Sequence, residues 1–156
     1  SGTIYCGVLA MQLSKNFSLQ ELTISEEAAR SGLKNAPSHD QTLALVALCQ
    51  NVLQPLRDRI RKPIVITSGY RSPTVNRRVG GSQNSQHCKG QAADFIVPGL
   101  ELRNVMQLVQ NMELPFDQLI YEFGRWIHVS YGPRHRRQVL EAKLEGGKTV
   151  YSPYRS

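Results

Sequence analysis

The sequence predicts an α+β fold in which helices flank a small antiparallel sheet. Helical periodicity dominates the first 60 residues, and β-rich stretches with a single inserted helix follow. The chain has 156 residues, of which 40% are hydrophobic and 20% are charged, so it can bury one core. Because no internal repeat or composition break divides it, residues 13–156 are expected to form a single domain.

Two capping signals mark the first helices. Ser18 and Glu21 have the spacing of a capping box, in which each side chain binds the backbone N–H of the other residue. Ser25 is expected to begin a second short helix, and Gly32 to end it. We therefore expect two short helices in this part of the chain.

A longer helix is predicted over residues 40–60. Ser38 and Gln41 supply its capping box, and Pro55 is expected to kink it near its end. One face of this helix is apolar, which is typical of a core helix. The apolar positions are Leu45, Leu48, Cys49, Val52, Leu53, Leu56 and Ile60.

The strands are predicted in the second half of the chain. A polar segment, residues 68–90, separates the first strand from the second, and long irregular segments of this kind are often functional. The predicted elements are strands at 63–67 and 92–97, a helix at 102–112, a hairpin of 117–123 with 126–131, and a hairpin of 139–144 with 149–151.

Charge and cysteine content exclude several classes of protein. The formal charge of +7 suits an anionic partner such as nucleic acid, an acidic membrane surface or an acidic wall polymer, and equally a plain basic surface. The chain has three cysteines, Cys6, Cys49 and Cys88. An odd number cannot pair completely, which argues against a disulfide scaffold. No CxxC pair occurs, so a cysteine zinc finger is not expected. No run of 18 apolar residues occurs, so no membrane span is expected. No motif interleaves aromatic and basic residues, so we expect no specific nucleic-acid partner.

Residues 1–12 are expected to be a tag remnant or an N-terminal extension. Ser1 and Gly2 have the composition that tag removal leaves, and Met11 could be a natural start. The apolar stretch between them is too short for a complete secretion signal and lacks its basic front. No export signal is therefore visible in this chain.

The segment from Ser85 to Asp94 contains the first candidate metal ligands. His87 and Asp94 are seven residues apart, and on one straight strand they would point to opposite faces. Gly90 interrupts the strand, so His87 can sit on the incoming turn and Asp94 on the outgoing strand. A neutral imidazole and a carboxylate are ordinary zinc ligands.

A catalytic zinc needs a third protein ligand and one open position. His128 lies in a predicted strand, where it shares a face with Trp126 and Ser130. On its own, a histidine in such a strand is more often a hydrogen-bonded core residue than a ligand, so both interpretations stay open. His39 and His135 are expected at the surface.

The polar segment and the later strand together form a recognisable signature. It resembles the zinc D-alanyl-D-alanine carboxypeptidase family of peptidoglycan metallopeptidases, which includes D-alanyl-D-alanine dipeptidases and phage endolysins that cut L-alanyl-D-glutamate bonds. The family shares its fold with the Hedgehog signalling domain, and the resemblance covers residues 38–131. The residues concerned are Ser68-Gly-Tyr-Arg-Ser72, Asn76, Gly80-Gly-Ser82, Ser85-Gln-His87, Gly90, Ala92, Asp94 and Trp126-Ile-His128.

The resemblance implies roles for five residues. His87, Asp94 and His128 would bind one zinc ion per chain. Arg71 would bind a substrate carboxylate or the oxyanion, for which a planar guanidinium is well shaped. Ser85 would hold polar groups of the substrate. The alternatives are that Arg71 pairs with a nearby acid and that Ser85 is an ordinary loop hydroxyl.

The general base departs from the pattern of the family. Relatives often carry Glu or His three residues before the last zinc histidine, and here that position is Arg125, which cannot accept a proton. Glu122 and Asp117 are the remaining nearby acids, and we prefer Glu122. A three-residue turn at 124–126 would place Glu122 directly opposite His128.

A two-residue turn is the alternative for this hairpin. It would place Tyr121 opposite His128 and move Glu122 off the face that carries the histidine. The assignment of Glu122 as general base therefore depends on the register of the hairpin.

The resemblance implies a zinc-dependent peptidase that hydrolyses peptidoglycan stem peptides by attack of zinc-bound water, in the manner of a D-alanyl-D-alanine carboxypeptidase. A phage-type endolysin cutting L-alanyl-D-glutamate and a non-catalytic zinc-binding module are the alternatives. We expect a monomer that acts at the bacterial cell wall or periplasm, and a phage or prophage origin would fit the lack of a visible export signal.

Overall fold

A six-stranded sheet is the centre of the fold in the computed structural model, which describes residues 11–156. Most helices precede the main strands, and one longer helix is inserted between strands, so the predicted α+β class is confirmed. In chain order the elements are β1 (Gln12–Ser14), β2 (Phe17–Ser18), α1 (Leu19–Thr23), α2 (Glu26–Ser31), α3 (His39–Leu48), a π-helical turn (Cys49–Leu53), α4 (Gln54–Ile60), β3 (Val65–Ser68), α5 (Pro73–Arg78), a 3₁₀ helix (Gln86–Lys89), β4 (Ala92–Ile96), α6 (Leu102–Asn111), β5 (Gln118–Glu122), β6 (Trp126–Ser130), β7 (Gln138–Glu145) and β8 (Lys148–Pro153).

The sheet has the strand order β3-β4-β6-β5-β7-β8. The prediction of a purely antiparallel sheet is wrong at one place, because β5 and β7 pair in parallel. The chain leaves β6, passes over β5 and adds β7 on its far side, which makes β7 run in the direction of β5. Both hairpins lie where the sequence predicts them in the chain, but local turn chemistry does not specify which strands of two hairpins become neighbours.

The two faces of this sheet have different partners. One face carries apolar residues such as Phe95, Leu119 and Ile127, which are fully buried in the main core with the helices. Asp94 and His128 are paired neighbours on the other face. Because side chains alternate along a strand, the same sheet packs a core and presents a polar face.

The long helical segment confirms the prediction for residues 40–60, with an irregularity in its middle. The capping box of Ser38 and Gln41 is present at its start. A π-helical turn, Cys49–Leu53, lies immediately before Pro55. Proline has no backbone N–H, so the regular ladder is interrupted in this turn of the helix. Cys49 is a buried core residue as expected, and burial raises the pKa of its thiol to about 12.

The polar segment 68–90 is more ordered than its composition indicates. Ser72 caps the short helix α5, and Pro73 occupies its first turn, where a missing N–H costs nothing. Ser85 caps the 3₁₀ helix. Neither element has an apolar periodicity, which is why the sequence pattern did not predict them.

Gly90 lets the segment approach the helix α3 closely. It adopts a left-handed conformation with φ of 70°, and a Cβ at this position would lie 2.3 Å from the carbonyl oxygen of Gln41. Gln41 Nε2 also donates a hydrogen bond of 3.2 Å to the carbonyl oxygen of Cys88. The start of α3 therefore supports the turn that follows His87.

The N-terminal expectations are only partly covered by the structure. Residues 1–10, including Cys6, lie outside the described residues. Gln12 pairs with Ser18 in the small β1–β2 sheet, and Leu13 is buried. Within residues 11–156, no helix has the length and apolar character needed to cross a membrane. The predicted likeness to the Hedgehog fold stays a prediction.

Candidate metal centre

Two central strands bring Asp94 and His128 together. The residues are direct cross-strand partners in the β4–β6 pair, so their side chains leave the same face of the sheet. His128 Nδ1 lies 2.9 Å from Asp94 Oδ1, and both residues are buried. This position fits a metal ligand, and it also fits a hydrogen-bonded core histidine.

His87 reaches the same point from the 3₁₀ helix. Its Nδ1 lies 2.8 Å from the carbonyl oxygen of Gly69, and a carbonyl can only accept, so this nitrogen carries the proton. The other ring nitrogen, Nε2, faces Asp94 and lies 3.3 Å from Asp94 Oδ1. A backbone carbonyl that orients the second ring nitrogen is typical of histidines that bind metals.

The three side chains fit a zinc ion. Their donor atoms lie within 4.8 Å of one another, and all three residues are buried. Two imidazoles and one carboxylate are a common donor set of catalytic zinc sites. Burial by itself would raise the pKa of Asp94, but the imidazoles of His87 and His128 outweigh burial and hold that pKa well below its usual range. Asp94 is therefore an anion, as a ligand must be.

The donor group lies in a cleft of about 900 Å³ on the polar face of the sheet. Arg71, Ser85 and Glu122 line this cleft together with the three donors, as the sequence predicted. The cleft also contains residues that the sequence analysis did not select. They are Gln86, Gln118, Ile120, Phe123, Trp126, Arg134, Arg136, Gln138, Leu140, Thr149 and Tyr151, with several residues of the loop from Val79 to Asn84.

Arg71 follows β3 and is anchored through its backbone. Its N–H donates a bond of 3.2 Å to the carbonyl oxygen of His87. Its side chain forms no ion pair with a carboxylate of residues 11–156, and its buried Nε has no hydrogen-bond partner there. The alternative of a local ion pair is therefore not realised, and the guanidinium is available to a ligand in the cleft.

Ser85 has a structural bond in addition to its place in the cleft. Its hydroxyl oxygen accepts a bond of 3.1 Å from the backbone N–H of His87, which caps the 3₁₀ helix. This bond uses a lone pair and leaves the hydroxyl proton to donate. Ser85 can thus position His87 and contact a ligand at the same time.

The predicted register of the β5–β6 hairpin is wrong by two residues. Glu122 pairs with Trp126, and His128 pairs with Ile120. The turn consists of residues 123–125 rather than 124–126, because Phe123 takes a left-handed conformation with φ of 57°. An aromatic residue rarely adopts this conformation, so the sequence did not indicate it.

A shift of two residues preserves the face of the sheet, so Glu122 still lies beside the donors. The distance between Glu122 Oε1 and His128 Nδ1 is 3.5 Å. Burial raises the pKa of Glu122, and the negative charge of Asp94 adds to this effect. A carboxyl group with a raised pKa next to a candidate metal site is a candidate for proton transfer.

Asp117 has a different environment. Its side chain is fully buried, with 0% exposure, and Arg136 binds it through Nε at 2.8 Å and Nη2 at 2.9 Å. Gln86 Nε2 donates a further bond of 3.0 Å. These bonds, above all those from Arg136, hold the pKa of Asp117 well below its usual range. Asp117 therefore ties the loop after β6 to the segment before the metal ligand His87.

A buried donor set of two imidazoles and a carboxylate, with a free carboxyl group beside it in an open cleft, defines a mononuclear metal centre of the hydrolase type. Comparison with known proteins identifies the class. The chain belongs to the Peptidase M15 family, which matches residues 15–130 and so covers most of the chain.

Two relatives illustrate the range of this similarity. The chain is 35% identical over 81 residues to the peptidoglycan L,D-endopeptidase MepK of Escherichia coli K12, a match that covers 48% of the chain and 44% of that protein. It is 42% identical over 66 residues to the zinc D-Ala-D-Ala carboxypeptidase of Streptomyces albus G, covering 42% of the chain and 25% of that protein. The matched regions span less than half the length of either relative.

We expect one zinc ion per chain, bound by His87, Asp94 and His128. His128→Ala removes one of the protein donors and should weaken zinc binding at least about 100-fold, since losing even an indirect support of a metal ligand costs about 10–100-fold. Metal content after dialysis against a weak chelator measures this loss. His39→Ala, at an exposed position, should keep the full content, and normal zinc content in His128→Ala would contradict the assignment.

Asp117→Asn should destabilise the protein by about 2 to 3 kcal/mol at neutral pH, because charge-assisted bonds to a buried group are lost. The pKa of Asp117 is depressed in the folded state, so its contribution is present above the unfolded pKa of about 4 and is lost as the pH falls further. Denaturant unfolding from pH 7 to pH 3 should show the difference from wild type shrinking below about pH 4. The exposed Asp58→Asn is the control, and an equal loss there would argue against a special role for Asp117.

Proposed function

We propose that this protein is a zinc-dependent peptidase that hydrolyses peptide bonds of peptidoglycan stem peptides. The observation that carries the proposal is the buried group of His87, Asp94 and His128, which lines a cleft of about 900 Å³. The substrate class is inferred from two relatives, a peptidoglycan L,D-endopeptidase and a zinc D-Ala-D-Ala carboxypeptidase. The formal charge of +7 also suits an acidic cell wall.

His87, Asp94 and His128 would hold a zinc ion. Such an ion would polarise the scissile carbonyl and lower the pKa of a bound water. His87 and His128 would supply neutral nitrogen donors, and the anionic Asp94 would compensate part of the charge of the ion. Gly69 and Ser85 support the site by fixing the ring and the backbone of His87.

Glu122 is the residue that we assign as general base. It accepts the proton of the attacking water and returns it to the leaving amine. Two observations support Glu122 over Asp117. The Oε1 atom of Glu122 is 3.5 Å from His128 Nδ1, and the pKa of the Glu122 carboxyl group is raised. The carboxylate of Asp117, in contrast, already accepts hydrogen bonds from Arg136 and Gln86.

Arg71 and Ser85 are the residues that we assign to substrate binding. The guanidinium of Arg71 lines the cleft without a carboxylate partner, so binding a substrate carboxylate requires no existing ion pair to break. The hydroxyl of Ser85 can donate to a substrate carbonyl while it caps His87.

A bond of the D-alanyl-D-alanine type is our first choice for the scissile bond, because Arg71 is suited to a terminal carboxylate. Cleavage within the stem, as in an L,D-endopeptidase or a phage-type endolysin, is the second candidate, favoured by the longer match to MepK. We propose that the protein acts as a monomer.

Mass spectrometry of defined muropeptides is the experiment that tests the function. The zinc-loaded protein is incubated with a disaccharide pentapeptide, a tetrapeptide and a cross-linked dimer. Loss of one alanine from the pentapeptide would indicate the carboxypeptidase, and cleavage inside the stem would indicate an endopeptidase. A protein that binds zinc and leaves every muropeptide intact would be a non-catalytic zinc module.

Glu122→Gln should bind zinc normally and lose about 100-fold or more in kcat, the usual range for general acid–base catalysis. KM should change less, because the lost interaction acts mainly in the transition state. Glu141→Gln is a matched control, since both glutamate side chains are 14% exposed and Glu141 lies on the opposite face of the sheet. Equal rates for Glu122→Gln and the control would exclude Glu122 as the base.

Arg71→Lys keeps the charge but loses the planar pair of donors, so kcat/KM should fall about 10-fold or more for a peptide with a free C-terminal carboxylate. The same peptide with an amidated C-terminus should be cleaved slowly by wild type and no more slowly by the variant. Arg77→Lys is the exposed control. If the variant loses the same factor with both peptides, Arg71 does not read the carboxylate.

A further inference from the structure

The C-terminal hairpin is a wall of the cleft that the family match does not include. The match ends at residue 130, and the hairpin strands β7 and β8 comprise Gln138–Glu145 and Lys148–Pro153. Four of its residues line the same cleft as the metal donors: Gln138, Leu140, Thr149 and Tyr151. The parallel pairing of β5 with β7 creates this wall.

Tyr151 lies in the same cross-strand row as Glu122, the proposed general base. Tyr151 pairs with Ala142, and Ala142 pairs with Glu122, so the three residues form one row across neighbouring strands on one face. The backbones of Tyr151 and Glu122 are therefore two strand spacings, or about 10 Å, apart. Ala142 is small and buried, so it leaves room above it for the tyrosine ring to reach toward the site.

The electrostatic environment of Tyr151 supports this position. Partial burial raises the pKa of the phenol, the negative charges of Glu122 and Asp94 raise it further, and Arg71 acts in the opposite direction. The charged groups of the cleft therefore shift the pKa of Tyr151, although this residue belongs to the edge strand. With a raised pKa the phenol stays protonated at neutral pH and can donate a hydrogen bond.

Tyr151 is also free to meet a ligand. It is 54% exposed, and its hydroxyl forms no hydrogen bond within the part of the chain that the structure describes. A half-exposed tyrosine offers an apolar ring and one donor at a small cost in side-chain entropy, a combination that is frequent at binding surfaces. A purely structural tyrosine would be expected to bury its ring or bond its hydroxyl.

The strand order places Tyr151 and Arg71 at opposite edges of the sheet. Arg71 follows β3 at one edge of the sheet, the metal donors lie on and beside β4 and β6, and Tyr151 belongs to β8 at the other edge. A peptide that contacts both Arg71 and Tyr151 must cross the strands. Arg71 then contacts one side of the scissile bond and Tyr151 the other.

We propose that Tyr151 is a substrate-binding residue, whose hydroxyl donates a hydrogen bond to a backbone carbonyl of the stem peptide on the side of the scissile bond away from Arg71. The inference rests on the proposed function and extends it, because it assigns the C-terminal hairpin to recognition of the longer part of the substrate. It follows that Tyr151 contributes to binding of a long stem peptide and not to a dipeptide that occupies only the Arg71 side.

The test compares Tyr151→Phe, which removes only the hydroxyl, with Tyr151→Ala. Val150→Ala is the control, since Val150 is the adjacent residue on the opposite face of the hairpin. Binding of a stem pentapeptide is measured by calorimetry in the zinc-loaded Glu122→Gln background, and kcat and KM are measured with Glu122 intact. The second substrate is D-alanyl-D-alanine, and unfolding curves check that each variant is folded.

Tyr151→Phe should raise the Kd and KM of the pentapeptide about 3- to 10-fold, in line with the loss of one hydrogen bond, and change kcat less than Kd. Tyr151→Ala should have a larger effect, and neither variant should affect the dipeptide. Pentapeptide binding and cleavage that match the Val150→Ala control in both variants would overturn the inference while leaving the peptidase intact. A wild-type protein that neither binds nor cleaves any stem peptide would overturn the proposed function, and this inference with it.

Discussion

The contact between Asp94 and His128 is the constraint on which the rest of the site depends. Their donor atoms are 2.9 Å apart because β4 and β6 pair in the register that makes the two residues direct neighbours. A shift of one residue in either strand would send one donor into the core. The apolar face of the same two strands prevents that shift, since Phe95 and Ile127 would have to leave the core. The hydrophobic effect thus holds the register that the metal centre requires.

The sequence predicted the features that depend on short-range chemistry. A turn between two small elements brings His87 and Asp94 together, and the helices follow from capping boxes and apolar periodicity. The parallel partnership of β5 and β7 could not be predicted, because it depends on the path of a connection and not on the composition of either strand. For this reason nothing in the sequence indicated that Tyr151 lines the cleft, although it belongs to a hairpin that the sequence predicts.

Glu122 and Asp117 illustrate why residue type alone does not identify a general base. Both are acids of the same hairpin, and both have little contact with water. Arg136 and Gln86 satisfy Asp117 and lower its pKa, whereas Glu122 faces another negative charge and has a raised pKa. The register predicted from the sequence was wrong, yet the preference for Glu122 agrees with this geometry because a shift of two residues keeps a side chain on its face. The hydrogen-bond partners of an acidic side chain, more than its distance from the metal centre, indicate whether it has a structural role or can transfer protons.

The candidate metal donors and the wall of the cleft formed by the C-terminal hairpin belong to different strands of the sheet. The metal donors lie on the central strands β4 and β6 and on the 3₁₀ helix, and the hairpin β7–β8 contributes none of them. Insertions, deletions or exchanges in this hairpin would alter the shape of one wall while the donor geometry stayed the same. The hairpin is therefore the natural place to graft loops or vary residues when one wants new peptide preferences from an unchanged metal centre.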